Sequence, residues 1–341
     1  MVRVIYIIPK LKVGGAEALF SETKEGTYTN FILYKYCLDL SSNSPVVIFK
    51  QFFIFLNFIK RNNISIIISS LWKAHFFSFL VMYLLRSKTV PFIHSSAYFS
   101  LFDKFVSRLI LSKSDKCLVD SMVTEQFIQS QFRDIQIVRV STFLGLSITN
   151  QDKKIYFENP QQLRFVFLGR ISKVKRIDKS VHFLNQLRKL LPSNIDILFD
   201  LYGPIEVSQK VIDDLKESAK FTIKFKRSLE RDDLYKTLSC YDFYLQMSDV
   251  EGMAMSVIEA MSVGLIPIVT NVGEIRKYCK HHFNSFSYET TVEMKVACQD
   301  VFQAYSNAEY LNNISNNSMN TTKQYKDFRK DFIHKIDQII S

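Results

Sequence analysis

The sequence predicts an α/β protein made of two doubly wound, parallel-sheet domains. Short β-branched and aromatic runs alternate with longer helical stretches along nearly the whole chain. The alternation breaks once, over the polar residues 150–162 that include Asn159-Pro160, and then restarts. The length of 341 residues corresponds to two domains at about 150 residues each. Apolar residues make up 47% and charged residues 23%, ordinary values for a globular protein that exclude long disorder.

The first half opens with a strand over 2–8, an apolar run broken only by Arg3, followed by Gly14-Gly15 and a helix over 16–25. Strands are expected at 31–36, 46–49, 64–69, 90–94, 116–120 and 135–140. Helices are expected at 52–61, 74–86, 99–111 and 123–131. After the break, strands fall at 164–168, 196–202, 221–225, 243–247 and 266–270, with helices at 179–190, 207–220, 232–238, 256–262 and 292–304. The Asn- and Ser-rich stretch 311–322 reads as a connection to a last amphipathic helix over 325–340. The boundaries are therefore 1–150 for the N-terminal domain, 151–162 for a linker and 163–322 for the C-terminal domain. Residues 323–341 form a terminal helix expected to cross back to the N-terminal domain. Open parallel sheets place ligands at the carboxyl ends of their strands, so two such domains would face one another across a cleft.

The net charge is +11, and residues 1–160 carry 19 Lys/Arg against 11 Asp/Glu, or +8. Such an excess suits anionic partners: nucleic acid, anionic lipid or phosphorylated substrates. No nucleic-acid-binding signature accompanies it, so no nucleic-acid partner is expected. Five scattered cysteines without a CxxC pair argue against a disulfide framework or a zinc site, and no metal site is expected. The N-terminal apolar run ends at Pro9, short for a signal peptide's ~7–15-residue core. No stretch reaches the ~18 residues of a spanning helix. A cytoplasmic location follows as an expectation, with any membrane contact peripheral and on the inner face.

The segment Ser248-Asp249-Val250-Glu251-Gly252-Met253-Ala254-Met255 carries the most chemistry. It predicts a strand end, a loop, and a helix that starts near Met255 and stops at Gly264. A helix start offers free N–H groups and a positive dipole end to phosphate. Glu251 before the helix and Glu259 within it could accept hydrogen bonds from sugar hydroxyls; the plain alternative is an acidic cap and a solvated surface Glu.

The Glu-x7-Glu pair, set in Glu251-Gly252…Glu259-Ala260-Met261-Ser262-Val263-Gly264-Leu265-Ile266-Pro267, resembles the group 1 (family 4) retaining glycosyltransferases of GT-B fold, bacterial polysaccharide type. Gly14-Gly15-Ala16-Glu17, Asp115 with Ser121, Leu168-Gly169-Arg170 with Lys175, Leu201-Tyr202-Gly203-Pro204 and Asn271-Val272-Gly273-Glu274 resemble the family's other motifs in order. The resemblance implies a retaining, metal-independent hexosyltransferase. It would move a sugar from a nucleotide-diphosphate sugar, UDP-sugar first among them, to a saccharide or lipid-linked acceptor in O-antigen or capsule assembly. No cofactor is implied beyond the nucleotide sugar as co-substrate.

The same resemblance makes the N-terminal domain acceptor-binding and the C-terminal domain nucleotide-sugar-binding. Catalytic roles fall to His94, Glu251, Arg170 and Lys175. An Arg fork and a Lys point charge can stand in for a divalent cation on a diphosphate. Donor-binding roles fall to Gly14, Gly15, Gly203, Gly252, Met253, Ala254, Met255 and Glu259. Gly14-Gly15 lacks the G-x-G-x-x-G spacing of dinucleotide sites. His94 closes a strand and could orient a hydroxyl, or be a buried structural histidine; His75 is a weaker candidate. His281, His282 and His334 are expected at the surface. Lys226-Arg227-Ser228 stands where the family usually has a small-residue loop.

The helices over 52–61 and 99–111 mix aromatic with basic residues. They could meet an anionic membrane surface or pack inside the domain. Two other readings fit the architecture: a nucleotide-sugar epimerase, and a non-catalytic nucleotide-sugar-binding subunit.

Overall fold

The computed structural model describes residues 1–11, 14–40, 44–98, 100–144, 161–289 and 294–341. The expected linker lies outside them except for Gln161 and Gln162. The chain divides into two compact units, Met1–Gly145 with Lys326–Ser341, and Leu146–Tyr325.

Unit 1 is built on a seven-stranded sheet of β1 (Val2–Ile8), β2 (Gly26–Thr27), β3 (Phe31–Cys37), β4 (Ile66–Ser70), β5 (Lys88–Ile93), β6 (Lys116–Val119) and β7 (Gln136–Arg139). Its order is β2-β3-β1-β4-β5-β6-β7. All neighbours are parallel except the short β2, antiparallel to β3. The crossovers are α1 (Gly15–Glu22), α2 (Pro45–Arg61), α3 (Trp72–Leu85), α4 (Leu101–Leu111) and α5 (Met122–Gln129). β4, three isoleucines followed by Ser69 and Ser70, is buried throughout, because helices cover the sheet.

One expected strand is absent. Residues 46–49 form the first turns of α2, not a strand. Pro45 occupies the helix start, where its fixed φ suits a helix and its missing N–H has no intrahelical partner to lose. The β-branched and aromatic run after it follows the helix that Pro45 begins.

Unit 2 is built on β8 (Gln162–Leu168), β9 (Asp196–Tyr202), β10 (Thr222–Lys226), β11 (Phe243–Gln246), β12 (Ile266–Thr270) and β13 (Phe286–Tyr288). The order is β10-β9-β8-β11-β12-β13, parallel throughout. Its helices are α6 (Ile177–Leu190), α7 (Gln209–Ser218), α8 (Arg231–Leu238), α9 (Met255–Ser262), α10 (Ile275–Tyr278), α11 (Met294–Tyr305) and α12 (Ala308–Thr322). The core runs through Phe165, Phe167, Phe183, Phe199 and Phe243, all fully buried, and Phe165 stacks on Phe243 at 5.1 Å.

The Asn- and Ser-rich stretch is not a connection but most of α12. Its buried residues Leu311, Ile314, Ser315, Ser318 and Thr322 recur at helical spacing. The small serines let this helix approach the turn after α9: Ser315 Oγ donates to the Gly264 carbonyl at 2.6 Å and Ser318 Oγ to the Leu265 carbonyl at 3.1 Å.

The last helix, α13 (Phe328–Ile340), belongs to unit 1. Backbone and side-chain bonds seat it: Phe328 N–H donates to the Phe143 carbonyl at 2.7 Å, and Asp331 accepts from Ser141 N–H at 2.8 Å. Its Phe332 packs on Tyr6 (5.3 Å) and Phe92 (6.2 Å), under the centre of the sheet. Phe332→Ala should therefore cost unit 1 about 3–5 kcal/mol, read as a lowered urea midpoint; an unchanged midpoint would mean that the helix is dispensable.

Candidate active site

The sheet of unit 2 reverses direction at β8. From β8 the chain moves outward to β9 and β10, then returns to the other side of β8 as β11. The loops after β8 and β11 thus diverge at a switch point, where open α/β sheets bind ligands. These loops carry Gly169 to Arg176 and Met247 to Ala254.

Two glycines permit the first loop. Gly169 and Gly203 have φ of +142° and +146°, and a Cβ on Gly203 would lie 2.0 Å from the Gly169 carbonyl oxygen. The loops after β8 and β9 then run together, with Ile171 N–H donating to the Pro204 carbonyl at 2.9 Å. This crowding gives Gly203 a packing role of its own. Arg170 follows Gly169 and is exposed, its guanidinium 3.3 Å from Glu206. A single 3-10 turn, Lys173–Lys175, aims Lys175 at the second loop.

There Lys175 Nζ donates to both oxygens of Glu251, at 2.6 and 2.9 Å. Gln246 at the end of β11 donates to the same carboxylate at 3.0 Å. The Tyr244 hydroxyl lies 2.8 Å from Gln246 Oε1 and 2.7 Å from Ser256 Oγ. Burial raises the Tyr244 phenol far above its ordinary value, so it serves as a neutral O–H. Asp249 ties the two loops together, paired with Arg176 at 3.0 Å and Lys179 at 2.8 Å.

The loop before α9 is held from behind. Gly273 has φ +55°, and a Cβ there would lie 2.2 Å from the Glu251 carbonyl oxygen and 2.6 Å from that of Gly252. Glu274 N–H donates to the Gly252 carbonyl at 3.0 Å. The buried Tyr278 hydroxyl lies 3.0 Å from the Met253 carbonyl and 3.3 Å from that of Ala254. Met253 is itself buried, so its side chain anchors the loop. Ala254 takes the left-handed conformation, φ +53°, at the cap of α9, at a cost of about 1–2 kcal/mol for a residue other than Gly. Its methyl offers no cap bond, so the N–H groups of Met255 and its neighbours begin the helix without a side-chain acceptor. One turn further, Glu259 receives Arg231 at 2.5 Å, and Arg231 also donates to Tyr235 at 2.8 Å.

The predicted residues of unit 2 thus gather around these loops, with Lys175 on Glu251. Gln246, Tyr244, Gly273 as the wedge, Tyr278 and Arg231 were not anticipated. Only Gly273 lay in a motif that had been singled out. Lys226, in the segment that departs from the resembled family, pairs with the buried Asp200 at 2.5 Å and donates to Tyr202 at 3.0 Å.

Unit 1 has its own switch point between β1 and β4. Gly14 and Gly15 lie at the start of α1, after β1. Gly14 is extended, with φ −177°, and an added Cβ would meet only the flexible end of Glu17. His94 follows β5, its Nε2 2.8 Å from Ser70 Oγ, which is 2.9 Å from the Tyr6 hydroxyl. Its Nδ1 faces Asp120 at 3.8 Å. A polar chain Tyr6–Ser70–His94–Asp120 therefore crosses the strand ends of β1, β4, β5 and β6. Asp120 was read only as the last residue of a strand. Ser121 caps α5, accepting from Thr124 N–H at 3.2 Å. His75 is fully buried with Nδ1 2.9 Å from Ser69 Oγ; burial, and next the nearby His94, push its pKa down to about 3. It is a structural histidine.

His281 and His282 are exposed, as expected, and each has a partner: His281 faces Asp300 at 3.5 Å and His282 Nδ1 lies 2.7 Å from the Tyr310 hydroxyl. Ligand atoms of His281, His282 and Asp300 lie within 4.8 Å of one another.

Residues 149–321 match the sequence profile described as "Glycosyl transferases group 1". No curated relative matches the sequence. Among solved structures, HepE of Anabaena in complex with UDP and glucose is 13% identical, with a TM-score of 0.77 over 99% of this chain and 100% of that one. Sucrose-phosphate synthase from Thermosynechococcus elongatus is 12% identical, with a TM-score of 0.74 over 100% of this chain and 98% of that one. TarM of S. aureus, in a mutant form complexed with Fondaparinux, alpha-GlcNAc-glycerol and UDP, is 16% identical with a TM-score of 0.66. That match covers 83% of this chain, which spans only 58% of TarM. At these identities the likeness establishes the GT-B fold.

Two outcomes test this geometry. Gly273→Ala should displace the Glu251 and Gly252 carbonyls and cost about 2–4 kcal/mol from strain and overpacking, read by urea unfolding. A neutral His75 contributes stability above pH 6.5 that is lost as pH falls toward its folded value. Wild type should lose up to about 1.4 kcal/mol per pH unit from this group between pH 6.5 and 5, and His75→Gln correspondingly less, measured by urea unfolding at each pH.

Proposed function

The chain is a member of the group 1 glycosyltransferases, and from that membership we propose a retaining, metal-independent hexosyltransferase. It takes a UDP-sugar as donor and a growing, lipid-linked saccharide of bacterial surface polysaccharide, O-antigen or capsule, as acceptor. It acts at the cytoplasmic side of the membrane. The observation that carries the reading is the pairing of Lys175 with Glu251 beside the uncapped start of α9. A cation, a carboxylate and a row of backbone N–H groups converge there, the set that a sugar diphosphate requires.

Lys175 has three N–H donors, so it can hold Glu251 and still reach a phosphate oxygen. Arg170, exposed and only loosely paired with Glu206, is free to swing onto the diphosphate, where its fork can bind two oxygens. The two cations together stabilise the charge that develops as the diphosphate leaves. The N–H groups at the start of α9 add the dipole's positive end. Glu251 accepts hydrogen bonds from the donor sugar, and Glu259, on the inner turn of the same helix, binds the ribose hydroxyls. The acceptor attacks from the face the diphosphate leaves, its proton passing to a β-phosphate oxygen. The C–O bond to the acceptor forms as the C–O bond to the diphosphate breaks, so configuration is retained. In unit 1, His94, held by Ser70 and faced by Asp120, orients a substrate hydroxyl.

Calorimetric titration with UDP, GDP and ADP, with and without Mg²⁺, tests the donor site. UDP should bind selectively and equally in both conditions. Arg170→Ala and Lys175→Ala should each lower kcat by about 10²–10³-fold with the fold intact. Unchanged turnover in both would overturn the mechanism. Sugar conversion without acceptor would identify an epimerase, and donor binding without turnover on lipid-linked acceptor a binding subunit.

A further inference from the structure

We infer that the outward faces of α2, α3 and α4 form one surface that docks on an anionic phospholipid bilayer. Each helix has two apolar faces. The inward ones fill the core, through Phe55 and Ile59 on α2, Phe77 and Val81 on α3, and Val106 and Ile110 on α4. The outward ones have no such purpose. Val46, Phe49 and Phe53 on α2, and Leu101, Phe102 and Phe105 on α4, are between 51% and 85% exposed.

The three helices lie side by side. Phe52 of α2 meets Phe77 of α3 edge-on at 5.6 Å, and Trp72 of α3 stacks on Phe102 of α4 at 6.5 Å. The exposed Phe76 and Tyr83 of α3 belong to the same face. The outward apolar residues of α2 and α4 occupy the first turns of helices that begin at the carboxyl end of the sheet. His94 stands at that same end, so a docked bilayer would present lipid-borne groups beside it.

Charge identifies the occupant. Residues 44–113 contain nine Lys/Arg and a single acid, Asp103, a net of 9 − 1 = +8. That equals the whole excess of residues 1–160, 19 − 11 = +8. Asp103 is buried and accepts from Ser107 Oγ at 3.1 Å, so it does not offset the surface. Lys50 and Lys104 stand among the exposed aromatics, and Lys73 lies over the Trp72 ring at 5.6 Å. Aromatic rings at headgroup depth with lysines reaching out to phosphates are what an interfacial surface requires. A second copy of the chain would set Lys50, Lys73 and Lys104 against cations of the same face, which disfavours a self-complementary dimer through it.

The inference stands on unit 1 and does not rest on the donor reading. Co-sedimentation of the full chain tests it, with vesicles of phosphatidylcholine alone and of phosphatidylcholine mixed with phosphatidylglycerol. The chain should bind the mixed vesicles about tenfold more tightly, and salt should weaken binding. The double variants Phe49→Ser/Phe105→Ser and Lys50→Ser/Lys104→Ser should each weaken it about tenfold, with urea midpoints and UDP titration unchanged. Absence of vesicle binding, equal binding to neutral vesicles, or wild-type binding by both variants would overturn the inference. So would an ultracentrifuge result in which Phe49→Ser/Phe105→Ser dissolves a dimer. Vesicle binding without UDP binding would leave it standing while refuting the donor site.

Discussion

Glu251 lies where it does because residue 273 has no side chain. Its carbonyl and that of Gly252 press against the Gly273 Cα from a distance no Cβ would allow. The arrangement of unit 2's strand ends depends on this contact. It lets Tyr278 reach the next two carbonyls, holds Ala254 in a left-handed conformation and starts α9 without a side-chain cap. A loop held from behind at three successive residues presents its front to a ligand with little freedom left to lose, which is how strained, pre-organised sites are maintained.

The second organising feature is the placement of charge. Each of the two inward carboxylates has its own cation, Lys175 for Glu251 and Arg231 for Glu259. A buried carboxylate without a partner would be costly to keep ionised. The pairs offset the cost of burying the two carboxylates, and the flexible cations can share their remaining donors with a phosphate or a hydroxyl. The histidines of unit 1 show the contrast. His75 is buried too deeply to take a proton near neutrality. His94, nineteen residues on and partly open, sits between a hydroxyl chain and a carboxylate.

The two halves of the chain also divide their surface chemistry. Unit 2 balances its charges in local pairs around the switch point. The basic excess of residues 1–160 instead matches that of the α2–α4 segment, on helices whose outward faces are as aromatic as their inward ones. A helix apolar on two sides needs two apolar environments, and the core supplies only one.

Much was legible in the linear sequence: strand–helix alternation, the stop of α9 at Gly264 and the spacing of Glu251 and Glu259. These are local quantities, set by periodic burial and by backbone breaks. The helix through 46–49 was misread because Pro45 outweighs the β-branched run that follows it. The helix through 311–322 was misread because its buried face is lined by serines that satisfy the Gly264 and Leu265 carbonyls. The partners of the site residues were not legible at all. Arg231 on Glu259, Gln246 on Glu251 and Asp120 by His94 are decided by which strand ends lie side by side. Strand order is a non-local property: the sequence determined the strands and the reactive residues at their ends, and only the tertiary structure, by placing β8 between β9 and β11, decided which of those residues meet.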